Sequence, residues 1–214
     1  MMPPADNDWK HSFPPASGQA PLVLLLGSMP GEESLRQRQY YAYRYNAFWR
    51  IAGEIFHFSP ETTPYPERIR ILNENRIALW DVLSCCTREG SLDTRIRNPR
   101  PNDIPSFLLG HPTIQRIFCN GGAAYQLLKR FFPDLFRKEK NFLCIERLPS
   151  TSPAAASIRY EEKLRLYRTA FTAALRNCRG GKTAGKTPHG ESFLQQSLHH
   201  EVAERPCGER EKTQ

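Results

Sequence analysis

Ser28, Asp81, Asn120 and the triplet Ser150-Thr151-Ser152 each fall at or just beyond the end of a short apolar run. Hydroxyl, carboxyl and amide groups placed this way form a set of hydrogen-bond donors and acceptors. No G-x-S-x-G nucleophile elbow accompanies them, so serine hydrolysis is a poor fit. Gly27-Ser28-Met29-Pro30-Gly31 stops the first run abruptly. Its two glycines let the backbone approach a ligand, and Pro30 stiffens the turn. Tyr40, Tyr41, Tyr43 and Tyr45 follow, and then Asn46. Aromatic faces beside amide and carboxyl groups suit a flat ring with a hydrogen-bonding edge, such as a nucleobase.

Such a set requires elements that bring distant residues to one edge. Leu22–Leu26 is an unbroken apolar run bounded by Pro21 and Gly27, which suits a strand buried on both faces of a parallel sheet. Ile77–Leu83, Ile114–Cys119 and Phe142–Leu148 are the further strand candidates. Helical patterns span about 46–56, 66–75, the region of Phe107–Leu109, Tyr125–Phe131 and 160–176. Asn102 or Asp103 is placed to cap the helix containing Phe107. Strand and helix alternate, which predicts an α/β fold: a three-layer α/β/α sandwich around a central four-stranded parallel sheet. In such sheets ligands bind beyond the carboxyl ends of the strands. Residues 84–105 read as a long polar connection, a kind of segment that is often functional.

Of the 214 residues, 21–177 are expected to form one domain. Residues 1–20, rich in proline, are expected to be a disordered leader, and 178–214 a disordered tail. The net charge of +8 falls on the central part, where 23 basic residues face 15 acidic ones. That balance, largely arginine, suits a polyanionic partner. The six cysteines form no C-x-x-C pair, so neither zinc nor an iron–sulfur cluster is expected. No secretory signal or membrane-length apolar run is evident. These features predict a cytoplasmic protein with reduced thiols and no membrane association.

GSMPG followed by SL…QYYA…NAFW resembles the first motif of the DNA-deoxyinosine (hypoxanthine-DNA) glycosylase branch of the uracil-DNA glycosylase superfamily. ALWDVL with CTREGSLD, the strand end IFCNG, and LPSTSPAAA are similar to that branch as well. The resemblance covers about residues 21–176. It implies a monofunctional DNA glycosylase that needs no metal or organic cofactor and acts on DNA containing deaminated bases. Hypoxanthine would be the chief base released and uracil a second; a monomer is expected. Uracil or mismatched thymine as the preferred base, and a catalytically silent DNA-binding module, are the alternatives. Many superfamily members carry Asp or Asn before the turn proline to hold the attacking water. Here that residue is Met29, and the resemblance moves the role to Asn46. Base contacts are implied for Ser28, Met29, Tyr41, Tyr40, Asp81 and Asn120, Tyr41 being the favoured stacking residue. Ser150 stands where relatives often carry His. Ser150, Thr151, Ser152, Ala154 and Arg88 are the DNA-contact candidates, Ala154–Ser157 being the loop that would press into the duplex. Arg95, Arg97 and Arg100 are further phosphate candidates.

Each residue also has a purely structural reading. Asn46 is a good helix cap. Tyr40 and Tyr41 suit core packing. Asp81 suits a turn cap or an ion pair, and Asn120-Gly121 a plain turn. Ser150–Ser152 suits a capping turn, and the arginines a solvated loop.

Overall fold

The computed structural model describes residues 9–137 and 143–176. The expected tail, 178–214, lies outside the described residues. Residues 1–8 of the expected leader lie outside the described residues, but the rest does not stay loose as its composition suggests: Trp9–His11 forms strand β1. Ala16 and Leu79 exchange two backbone hydrogen bonds of 2.9 Å. The carbonyl of Phe13 accepts from the Trp80 indole N–H at 3.1 Å, and that of Pro14 from the Tyr40 hydroxyl at 3.1 Å. Buried Tyr and Trp need partners for their polar tips, and the leader supplies them. It is held by its backbone carbonyls, a signal that hydropathy cannot carry.

The Leu22–Leu26 run forms β2 (Val23–Gly27), buried throughout. β3 is Ile77–Asp81, β4 Leu83–Thr87, β5 Arg97–Pro101, β6 Arg116–Asn120 and β7 Cys144–Leu148. The main sheet is four-stranded in the order β3-β2-β6-β7, and every pairing in it is parallel. This is the predicted sheet. The second sheet, β1-β4-β5, is antiparallel and was not foreseen. The run Ile77–Leu83 divides beyond Asp81, and much of the long connection is a two-stranded ladder rather than irregular chain. Pro99 and Pro101 sit on β5, an edge strand, where a missing N–H is tolerated.

The helices are α1 (Glu32–Gln37), α2 (Phe48–Phe56), α3 (Tyr65–Glu74), α4 (Ile104–Gly110), α5 (Gly122–Phe131) and α6 (Tyr160–Arg176). The six-residue α1 was not anticipated. The alternation of β2 separates two cores. Val23 and Leu25 pack with Phe48 and Ile51 of α2 and Tyr167 and Phe171 of α6. Leu24 and Leu26 pack with Ile104 and Leu108 of α4 and Ala124 and Leu128 of α5. Helices on both faces of one parallel sheet complete the predicted three layers. Among the described residues, no helix is long and apolar enough to cross a membrane. Cys86 and Cys119 are free and buried, whereas Cys85 is disulfide-bonded, against the expectation of reduced thiols.

Deleting residues 1–16 would strand the Tyr40 hydroxyl and the Trp80 indole and strip β4 of its β1 partner. At about 1–3 kcal/mol per stranded buried group, urea unfolding should show a loss on the order of 3 kcal/mol. A truncated protein as stable as the full chain would show that the leader is not part of the fold.

Candidate functional site

The carboxyl ends of the parallel strands meet at a cavity of about 770 Å³. All seven residues expected to touch base or water, from Ser28 to Asn120, line it. The DNA-contact candidates divide. Ser150, Thr151, Ser152 and Ala154 line the cavity, but Arg88 does not.

Asp81 is the deepest polar group of this set, 3% exposed. It ends β3 in register with Gly27. A Cβ on Gly27 would stand 2.4 Å from Asp81 Oδ1, so the glycine is the space that the carboxyl occupies. Ser12 Oγ, from the leader, donates to Asp81 Oδ2 at 2.8 Å. Burial pushes the Asp81 carboxyl up to about 7, Asp93 adding to the effect and Ser12 and Arg88 opposing it. The group can therefore be a donor or an acceptor near neutral pH.

Tyr41 adopts the left-handed region, φ 56°, which a bulky residue enters only when its surroundings hold it there. Its ring packs on Phe48, centroids 4.2 Å apart. Its hydroxyl is buried without a hydrogen-bond partner among the described residues. Burial raises the phenol's pKa, the Asp81 charge adds to it, and the nearby Asn120 amide opposes it. Tyr40 is different. It is 4% exposed, its hydroxyl is spent on the leader and its carbonyl accepts from Trp49 Nε1 at 2.8 Å. Although it borders the cavity, Tyr40 is packed as a core residue.

Asn46 keeps both of its readings, one on each side-chain atom. Oδ1 accepts from Phe48 N–H at 3.0 Å, an Asx turn that leads into α2 just ahead of its first residue. Nδ2 has no partner among the described residues and is available at the cavity. The next residue, Ala47, donates its N–H to Thr151 O at 2.9 Å. Thr151 in turn is clasped by Asn120: Asn120 Nδ2 donates to Thr151 Oγ1, and Thr151 N–H donates to Asn120 Oδ1, both at 2.9 Å. Both amide atoms of Asn120 are thus engaged, and Thr151 is 1% exposed. The pair is a joint between β6 and the loop after β7. Each amide atom of Asn120 keeps one further donor or lone pair for the cavity that it lines. Gly121, at φ +102°, lets Ser150 approach, since a Cβ there would meet Ser150 Cβ at 2.9 Å. Ser150 Oγ accepts from Ser152 N–H at 3.2 Å.

Met29 stays at the cavity as a packing residue, and the Arg88 expectation changes. Met29 is 6% exposed and packs with Leu83 and Cys86, so it anchors the turn and offers no acceptor. The Arg88 side chain is fully enclosed, its Nη1 3.8 Å from Asp93 Oδ1. Its Nη2 donates to Pro30 O, while Nε and Nη1 make no hydrogen bond. It supports the turn from beneath and cannot reach a phosphate. Arg100 lies 4.8 Å from the Trp9 ring centroid. Arg97 donates to the Thr94 and Ile96 carbonyls.

Three groups at or behind the cavity wall escaped the sequence reading. Ser12 comes from the leader. Asp93 accepts from Ser28 Oγ at 2.7 Å, and burial raises its pKa, with Ser28 and Arg88 opposing. Ser91 Oγ accepts from Glu32 N–H at 2.9 Å, closing the start of α1. In the segment Arg88–Asp93 the residue at the cavity is Asp93 rather than the arginine that the sequence points to. Among the described residues, no group of three or more His, Cys, Asp or Glu is arranged to hold a metal ion.

The chain matches the family described as the Uracil DNA glycosylase superfamily over residues 15–176. It is 36% identical over 112 residues to a hypoxanthine DNA glycosylase of Methanosarcina barkeri, covering 52% of this chain and 71% of that protein. A hypoxanthine DNA glycosylase of Methanosarcina acetivorans is 36% identical over 115 residues, covering 54% of this chain and 73% of that one. A solution structure from Methanosarcina acetivorans, provisionally assigned as a uracil DNA glycosylase, superposes with a TM-score of 0.64 at 30% identity. It covers 78% of this chain and 98% of its own.

The Asp81 carboxyl binds its proton more tightly folded, at about 7, than at its ordinary 3.8. Its neutral form therefore contributes stability that is fully present below about pH 4 and lost as pH rises toward 7. Relative to Asp81→Asn, the wild type should lose on the order of a few kcal/mol between pH 4 and 8 in urea unfolding. A wild type that holds or gains stability relative to Asp81→Asn as pH rises would contradict the buried carboxyl.

Proposed function

The chain belongs to the uracil DNA glycosylase superfamily, and on that premise we propose that it is a DNA glycosylase that releases hypoxanthine from deoxyinosine in DNA. The relatives named for that activity support the choice of base. The observation that carries it is the meeting, in one cavity, of the Asn46 amide and the Asp81 carboxyl beside the Tyr41 phenol.

Breaking an N-glycosidic bond leaves positive charge on the sugar and negative charge on the departing base. The enzyme's part is to hold a water near the sugar carbon and to donate hydrogen bonds to the base. Asn46 is the group we assign to the water or the base edge, because Oδ1 fixes the amide and Nδ2 remains free. Asp81 and Tyr41 take the base edge. With a proton, Asp81 donates to a ring nitrogen or carbonyl; without one, it accepts from a ring N–H. Ser28 shapes this wall through Asp93, and Met29 shapes it by packing. Ser150, Ser152 and Ala154 lie where a DNA strand would pass. None of these steps calls for a metal or organic cofactor. The proposal includes action as a monomer, in the cytoplasm, on DNA carrying deaminated bases.

A second function draws on Met29 and Ser150, neither of which offers the group that many relatives use. On that account the chain would bind DNA without cutting the glycosidic bond. Uracil or mismatched thymine as the preferred base is the remaining variant.

Duplexes carrying inosine, uracil or a G·T mismatch separate these. The inosine duplex should yield abasic product fastest. Asn46→Ala should slow that release about a hundredfold or more, the usual cost of one preorganised polar group. Full activity in that variant would remove Asn46 from the mechanism, and binding with no abasic product would establish the silent module. Duplex affinity should also fall steeply with salt, as phosphate contacts require. Affinity indifferent to ionic strength would count against DNA as partner.

A further inference from the structure

Among the described residues, the large apolar side chains left exposed are Tyr43 at 46%, Tyr45 at 57%, Leu92 at 47% and Ile158 at 38%. All four lie on segments that border the cavity. Tyr43 and Leu92 line it, Tyr45 precedes Asn46, and Ile158 lies on the loop that continues from Ala154. Exposed apolar groups scattered singly mean little, but a concentration at one mouth marks a contact surface.

The tyrosines are the best-defined part. Their rings meet edge to face with centroids 5.5 Å apart. The Arg44 guanidinium lies 4.3 Å from the Tyr45 ring centroid and also touches the Tyr45 hydroxyl. The pair stands on a short turn tied to the site's frame at both ends. Asn46 N–H donates to Tyr43 O at 2.7 Å, and Ala47 N–H donates to Thr151 O at 2.9 Å. Two exposed aromatic rings, with a guanidinium over one of them, thus stand beside the mouth of the cavity, held by the residue that enters it.

We propose that Tyr43 and Tyr45 are the wedge that holds duplex DNA open while a base occupies the cavity. The proposal rests on the cavity taking a flipped base. Extruding a nucleotide breaks its stacking on both neighbours, and planar side chains can replace that stacking whatever the flanking sequence. Tyrosine has a stacking face and few torsions to freeze. Arg44 adds positive charge beside the pair, suited to an adjacent phosphate.

The Ala154–Ser157 loop cannot do this. Its small side chains have no stacking face. The loop is also braced from behind, since Lys163 Nζ donates to Ala155 O at 2.9 Å and Ser152 Oγ accepts from Ala154 N–H at 3.3 Å. It is a wall along the strand, and the wedge stands next to it.

The test compares single-turnover inosine release from duplex and single-stranded oligonucleotides, since only the duplex has a stack to hold open. In Tyr43→Ala/Tyr45→Ala the duplex-to-single-strand rate ratio should fall about tenfold or more, the worth of one or two stacked faces. Tyr43→Phe/Tyr45→Phe should restore it. An unchanged ratio, or a Phe variant as impaired as the Ala variant, overturns the wedge. Self-association that the Ala variant abolishes, with the ratio unchanged, would make the pair a contact between copies instead. If the wild type releases no base from either strand form, the glycosylase reading fails by itself. The wedge is then read from 2-aminopurine at the lesion position of a duplex. Brightening with the wild type and not with the Ala variant supports it, and equal signals refute it.

Discussion

A carboxyl group buried at the end of a parallel strand must be accommodated on every side, and much of this cavity is the accommodation of Asp81. Gly27 opens the space for one oxygen. Ser12 supplies a donor to the other. Arg88 lies close enough to oppose the effect of burial. The leader is fastened by the same residues that build the floor, because Trp80, next to Asp81, bonds to Phe13. A group that costs free energy to bury therefore organises segments far apart in the chain. In return the molecule has a carboxyl that can carry or release a proton near neutrality.

The second organising contact is the clasp of Asn120 on Thr151. The end of β6 and the loop after β7 also approach each other at Gly121 and Ser150. The reciprocal pair of hydrogen bonds fixes the loop after β7 against β6, and Thr151 passes that position on to α2 through Ala47. Asn46, Ser150 and the tyrosine turn are set relative to one another by this joint. An amide at a strand end, well placed for reading a base, therefore also serves the architecture. The rigidity it gives is what a preorganised site requires.

The main sheet was legible because burial on both faces leaves an unmistakable mark: Leu22–Leu26 has no polar interruption. The helices around it follow from their apolar spacing. The second sheet was hidden because Ser84 and Thr87 make β4 look polar, and because two prolines occupy β5. Arg88 misled for a related reason. A charged residue in a polar segment is usually at the surface, and only the tertiary placement of Pro30 and Asp93 shows why this one is inside. Asn46 could be found from its position after the tyrosines together with the family likeness. Ser12 could not, since it lies 69 residues from Asp81 in the chain, and Asp93 lies 65 from Ser28. Local pattern carries no trace of such pairings.

The close approach of Gly27 to Asp81 makes two positions behave as one. A methyl group at 27 would take the place of a carboxyl oxygen at 81, so neither residue can change freely while the other stays. Chains that drift apart from this one should cross between arrangements in paired steps, a larger residue at the turn accompanying a shorter one at the end of β3. Anyone redesigning the pocket for a different ring inherits that coupling and must treat the two sites as a single variable.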